Sequence, residues 1–495
     1  MAVYNYETIT AAEAASFNPT TDNLLFTNAS ASAIAVALGA STTTLVGAGR
    51  TVVLGTTGTT VNDYIFADGS QLFVGTTGAN TETLGAANSA AFGFGGVDTY
   101  TINATGAYVS AGAGADVLTV GADGAGSFFG GMDNDTFTLS GDVGSYANGN
   151  MGADAFTLNG SGSNTVNGGQ DNDTFNVAAA STGSHTLAGD LGNDIFNIAS
   201  NSGLTTALGG EGTDTFNVTG NSANLLSGNQ GADTFTISGN GNNTVFGGQD
   251  ADIFSVTGTG NNTLSGDLGD DTFTIGAAAT GNNTILGGDG VDTITISGTG
   301  NNVVNGNVGA DVITVSASAT GENVIFGGRG DDSVDASLST VAITLNGDNG
   351  NDTLIGGAGN DTITGGAGND NLTGGAGTNT FVFNAGDAPV SATGDVITDF
   401  TAGTNNEISF GSTAGNGINY VEQSFGSAIS FDAAVTQANN AFNGSVTYAL
   451  YENVTVNGTA TTVLFADTNG DGTVDTSVVL TGVQLNDFSA ANIVA

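Results

Sequence analysis

Asp98, Asp116, Asp135, Asp154, Asp173, Asp194, Asp214, Asp233, Asp252, Asp271, Asp292, Asp311, Asp332 and Asp352 each close a glycine-rich stretch, 18 to 21 residues apart, and Asp361 and Asp370 then follow at steps of 9. One carboxylate beside several glycines is a hard-cation chemistry. Calcium takes six to eight oxygens from carboxylates and backbone carbonyls in a flexible shell, and glycine lets a turn take positive φ so that its carbonyls can be aimed. Consecutive turns on one edge would each supply half a site. In the strictest stretch the glycines expected beside the acids are Gly347, Gly350, Gly356, Gly359, Gly365 and Gly368. Upstream, GGMDND, GGQDND and GGQDAD replace the fourth-position glycine by Asp133, Asp171 and Asp250, which read either as added ligands or as extra acid on that edge. A separate acidic run, DTNGDGTVD, sets Asp467, Asn469, Asp471 and Asp475 in the order that opens an EF-hand loop. With no glutamate at the twelfth position it reads as an isolated calcium loop.

Other chemistries lack their residues. His185 is the only histidine, there is no cysteine and no lysine, and no Gly-x-Ser-x-Gly elbow has a basic partner. Zinc-protease and Ser-His-Asp catalysis both need more than that. His185 itself falls in a turn, where a solvated side chain is expected. The expectation is a chain that is not an enzyme.

Composition agrees. There are 47 acidic residues against Arg50 and Arg329, a formal charge of −45, and 82 glycines. With nothing to neutralise phosphates, nucleic-acid binding is excluded. Self-repulsion of that size opposes compaction, yet 39% of residues are hydrophobic and 27 are phenylalanine, so a core is available once counter-ions are supplied. The front, MAVYNYETITAAEAASF, carries no basic n-region or apolar h-region and is not read as a Sec signal peptide. No apolar run is long enough to span a membrane.

The elements that must position the aspartates follow from the repeat. In GGQDADIFSVTGTGNNTLS, residues 247 to 265, a turn ends at Asp252, Ile253 to Val256 alternate as a strand, a second turn follows, and a strand returns. Phe137, Phe156, Phe175, Phe196, Phe216, Phe235, Phe254 and Phe273 all sit two places after the repeat aspartate. They therefore face one interior. The fold class is all-β: a parallel β-solenoid of about 19 residues per coil, each coil stabilised only by its neighbours. Residues 1–92 read as a β-rich cap or anchor, 93–383 as the solenoid, and 384–495 as a β-rich end with a helix over 431–442. On the opposite edge GNGNNT, GTGNNT, ATGNNT and GTGNNV carry paired asparagines, a neutral amide ladder needing no metal.

GDNGNDTLI, GGAGNDTIT and GGAGNDNLT, residues 347 to 373, resemble the G-G-x-G-x-D-x-U-x nonapeptides of RTX proteins; GGAGTNTFV departs by placing Asn379 at the acid. The resemblance implies a right-handed calcium-bound β-roll. Residues 464–495 are similar to the C-terminal end of RTX proteins exported by the type I secretion apparatus, which implies an extracellular or cell-surface location without a cleaved leader. The nearest functional likeness is to RTX S-layer proteins. It implies self-association into a lattice or filament, and attachment to lipopolysaccharide or another surface glycan through residues 1–92. An adhesin or matrix protein is the alternative. Thr259-Gly260-Asn261, Thr280-Gly281-Asn282 and Thr299-Gly300-Asn301 also resemble the array of ice-binding RTX solenoids, although Glu322 and Asn240 interrupt it.

Overall fold

The computed structural model describes all residues except 1, 19–20, 40–41, 55–63, 201, 385–386, 388–389, 392, 401–405, 413 and 443. Parts of the two flanks read as β-rich, 1–92 and 384–495, therefore lie outside the described residues. The chain falls into two units, Met1–Val245 and Phe246–Ala495.

In the first unit the four-residue strands Thr99–Ile102, Val117–Val120, Thr136–Leu139, Ala155–Leu158, Thr174–Val177, Ile195–Ile198, Thr215–Val218 and Thr234–Ile237 stack in parallel, like position on like position. Between them in the chain run longer strands, from Ala107–Ala113 to Asn224–Gln230, which form a second parallel sheet. Each coil contributes one strand to each sheet. Register forces the phenylalanines into one column: from Phe137 to Phe235 neighbouring rings lie 4.6 to 5.1 Å apart, stacked, and fully buried. Val109, Phe128, Ala147, Val166, Leu187, Ala207 and Leu226 of the second sheet fill the other half of the core. Each ring pair adds about 0.5–1.5 kcal/mol beyond its area burial, so the column supplies cohesion that no coil has by itself.

Parallel coil pairing reaches back to Leu72–Val74 and Thr81–Leu84, within the stretch read as a flank. Before it lie a parallel sheet of Val3–Asn5, Asn23–Phe26 and Tyr64–Phe66 and an antiparallel one of Ala35–Leu38, Thr43–Gly47 and Arg50–Leu54. A short helix, Ala11–Ala15, is held by a Thr10/Glu13 capping box. Five residues carry too little periodicity to announce themselves. Tyr6 stacks on Phe26 at 4.4 Å and its hydroxyl lies 3.1 Å from the Gly47 and Arg50 carbonyls.

The second unit repeats the two-sheet coil from Ile253–Val256 and Thr263–Leu268 onward. Its later strands shorten to three residues, Ser333–Asp335, Thr353–Ile355 and Asn371–Thr373, as the coil tightens to the 18 residues between Asp352 and Asp370. The final coil edge is covered. Val396–Ile397 pairs with Asn371–Thr373 on one side and with Thr476–Leu480 on the other. Thr476–Leu480 belongs to a sheet with Tyr420–Ser430, Tyr448–Val456 and Thr459–Ala466. The helix Phe431–Ala441, capped by Ser430, packs its Ala434 and Ala438 into that sheet's core. No helix among the described residues is long and apolar enough to cross a membrane.

Candidate metal centre

Each repeat aspartate other than Asp361 sits where a second-sheet strand turns back into the first sheet, and all of them point inward: every one from Asp98 to Asp370 is 0–2% exposed. Its Oδ1 accepts the backbone N–H of the previous repeat aspartate. In the first unit this ladder runs from Asp98 N–H on Asp116 to Asp214 N–H on Asp233, at 2.6 to 2.8 Å. In the second it runs from Asp252 on Asp271 to Asp352 on Asp370, at 2.7 to 2.9 Å. The other oxygen is stranded. Oδ2 of Asp116, Asp135, Asp154, Asp173, Asp194 and Asp214, and of Asp271, Asp292, Asp311, Asp332, Asp352 and Asp370, is buried with no hydrogen-bond partner.

The first glycine of each turn makes room for that oxygen. A methyl on Gly168 would collide with Asp173 Oδ2 and lie 2.9 Å from the Gly189 carbonyl oxygen; one on Gly306 would meet Asp311 Oδ2 and lie 2.5 Å from the Gly327 carbonyl. Strand pairing skips this glycine, passing from Asn167↔Ala188 to Gly169↔Asp190. A carboxylate oxygen and the next coil's carbonyl oxygen thus face one small space with no hydrogen between them. Gly347 and Gly365 stand in this role beside Asp352, whereas Gly350 and Gly368 have positive φ and sit against the preceding coil's carbonyls. A methyl on Gly356 would lie 2.6 Å from Asp361 Oδ2, and Gly359 lies against the Val341 carbonyl.

Burial without a partner disfavours the carboxylate. It pushes Asp135 and Asp173 up to about 8, Asp154, Asp194, Asp292, Asp332 and Asp352 to about 7, and Asp116, Asp214 and Asp271 to about 6. A proton or a cation must complete each site. Among the described residues no three carboxylate or imidazole side chains come together, so a cation here rests on one or two aspartates and on carbonyls. Calcium accepts that donor set. The residues that would hold it are the repeat aspartate and the first glycine of the following turn.

The opposite edge supplies the control. Asn262, Asn283 and Asn302 take the same buried place, and each backbone N–H and Nδ2 reaches the next asparagine's Oδ1 at 2.9 to 3.0 Å. Each Nδ2 also donates to a glycine carbonyl in its own coil, Gly260, Gly281 or Gly300. An amide therefore satisfies the position that leaves the carboxylate incomplete. Two aspartates are completed by protein groups: Tyr100 OH reaches Asp98 Oδ2 at 3.3 Å, and Gly357 N–H donates to Asp361 Oδ2 at 2.8 Å. Asp361 does lie on the asparagine edge, its N–H bonded to Asn379, while Asp352 and Asp370 share the aspartate edge.

One sequence expectation changes, at His185, and two others gain structural detail. His185 is not a solvated turn residue; it is 2% exposed in the asparagine column, because its ring substitutes for the amide. The Asn164 N–H lies 3.3 Å from Nδ1, making that nitrogen an acceptor and leaving Nε2 to donate to Ser181 Oγ at 2.8 Å. Asp133, Asp171 and Asp250 are exposed with φ of 70 to 72°. They stand for glycine because aspartate tolerates the left-handed region. The 467–475 loop turns its acids on itself: Asp467 accepts the Gly470, Asp471 and Gly472 N–H groups, Asp475 those of Thr468 and Asn469, and Asp471 that of Thr473. One ladder member escaped the sequence reading. Asp395 continues the column 25 residues after Asp370, and only the following Val396-Ile397-Thr398 echoes the repeat.

The chain is matched by the model of a family described as the RTX calcium-binding nonapeptide repeat, at residues 160–180, 218–254, 254–278, 275–295, 296–319, 317–338 and 346–381. A comparison with curated proteins finds no match. Repeats of this type bind calcium, in agreement with the stranded carboxylates, and the chain carries RTX-type repeats on a β-solenoid.

Proposed function

We propose that this is a secreted, calcium-stabilised structural protein that assembles with its own copies outside the cell, as a lattice of the S-layer kind or a filament, without catalytic activity. One observation carries the reading. From Thr99 to Ile237 the outward positions of the four-residue strands hold threonine, asparagine, alanine, valine or isoleucine and no charged residue, and from Ile253 to Val315 they hold threonine, serine, valine or isoleucine and again no charged residue. On a chain of charge −45 a face free of carboxylates is where two copies can approach without repulsion. Asn176, Asn197 and Asn217 already form an outward amide ladder there, at 2.9 and 3.0 Å. Type I export is the usual route for RTX proteins, and residues 1–92 would be the part that meets a surface glycan. The lack of an enzyme role is supported by the buried Ser181/His185 pair, whose Nε2 donates and so cannot take the serine proton.

Electron microscopy in millimolar calcium tests the assembly. Ordered sheets or filaments that disperse with chelator, and that are abolished by Asn197→Asp with Thr274→Asp, are expected; folded monomers throughout would refute it. Ice binding has one observation in favour: Thr259, Asn261, Thr280, Asn282, Thr299 and Asn301 are all exposed, and the asparagines are held in register by N–H to Oδ1 bonds of 2.8 Å. Thermal hysteresis with unassembled protein would select it.

A further inference from the structure

We propose a calcium site outside the nonapeptide array, built by Asp370 and Asp395 where the last coil meets the C-terminal sheet. Asp395 lies beyond the matched repeats, which end at residue 381. It is 0% exposed, its Oδ1 accepts the Asp370 N–H at 2.9 Å, and its Oδ2 has no partner. Asp370 Oδ2 is likewise buried and unpartnered.

The surroundings differ from those of the other sites. At Gly168, Gly189, Gly306 and Gly347 the space beside the carboxylate is shared with a glycine carbonyl of the next coil; at Gly365, the glycine beneath Asp370, the three atoms nearest to that space all belong to Asp370 itself. The chain replaces that glycine turn with the connection to Asp395. Two buried, unpartnered carboxylates stand here in succession, and Asp387 adds negative field to both. Asp387 and Asp399 are themselves carboxylates, accepting the Asn384 N–H and the Gly374 and Gly375 N–H groups, and supply no counter-charge. A divalent cation between two buried anions is the completion that fits.

The position gives the ion a second effect. The Asp395 carbonyl accepts the Val479 N–H at 2.9 Å, and the Val396 N–H reaches the Asp370 carbonyl at 2.8 Å. The residue that would bind the cation is therefore clamped between the solenoid and the cap strand Thr476–Leu480. Calcium at Asp395 holds the cap strand against the coils.

Two measurements test this. Anomalous diffraction from calcium-loaded protein should show a peak at calcium–oxygen distance, about 2.3–2.6 Å, from Asp395 Oδ2. Asp395→Asn should fold, because the amide meets the ladder's needs as Asn406 does beside Asn379. It should bind one calcium fewer per chain and lose the calcium-dependent exchange protection of the Val479 N–H, while that of the Thr293 N–H, inside the array, remains. Unchanged stoichiometry with unchanged calcium dependence at Val479 would overturn the proposal. So would the absence of a peak at Asp395 in a crystal that shows ions along the array, a result that does not depend on how the variant folds.

Discussion

Aspartate and asparagine have the same shape, and this chain uses both in equivalent buried corners. The difference is a pair of hydrogens. Asn283 gives its Nδ2 hydrogens to Asn302 and to the Gly281 carbonyl; Asp194 offers an oxygen in the corresponding place and finds no donor. Leaving such a group unsatisfied costs about 1–3 kcal/mol, and a bound cation removes that cost. Asp194→Asn should accordingly raise the melting temperature in chelator, by an amount of that order in free energy. It should also shrink the rise that calcium produces. Thermal unfolding in chelator and in calcium reads both; a variant less stable than the parent in chelator would refute the equivalence.

At the scale of the coil, cohesion comes from register. Parallel in-register stacking puts Phe175, Phe196 and Phe216 in one column, with rings 4.7 and 4.6 Å apart. Removing Phe196 leaves a cavity bordered by two stacked neighbours, and Phe196→Ala should cost about 3–5 kcal/mol, measured by denaturant unfolding in calcium. Calcium affinity should fall with it, because metal binding and coil folding are linked. A variant that melted normally but lost calcium would place the column's role elsewhere. The glycine turn has its own logic. Its second and fourth residues both hold positive φ, as at Gly131 and Asp133 or Asn150 and Gly152, so glycine alternates there with aspartate or asparagine without loss of the turn.

For the whole molecule the same carboxylates make stability depend on pH. Unfolded aspartate titrates near 3.9, whereas the buried ladder members titrate at about 6 to 8. Between those values the calcium-free folded chain holds protons that the unfolded chain releases. The stability these protons provide is complete below the unfolded value and is lost as pH rises through 6 to 8. In chelator, β-structure measured by circular dichroism should thus be strongest near pH 4 to 5 and weaken toward pH 8.5, where calcium restores it. A calcium-free fold indifferent to pH over that range would show that the carboxylates are not desolvated. The −45 charge adds repulsion in the same direction.

Local spacing was enough to read the all-β class, the coil of about 19 residues, the phenylalanine column, the helix after residue 430 and the metal-prone acid, because periodicity in a solenoid is itself the tertiary contact: the residue above is one repeat away. It was not enough to tell which way a side chain points at a corner. The turn acids read as ligands along one edge, and the structure buries them, with one oxygen committed to the ladder and one stranded. His185 looked solvated and replaces an amide. Asp133, Asp171 and Asp250 read either as ligands or as extra acid on the edge, and they are exposed on a left-handed backbone. Asp395 left no periodic trace, because a 25-residue connection carries it into line. For the buried groups the deciding quantity is which hydrogen-bond partner stands within reach, and only the stacking of neighbouring coils and of the C-terminal sheet sets that.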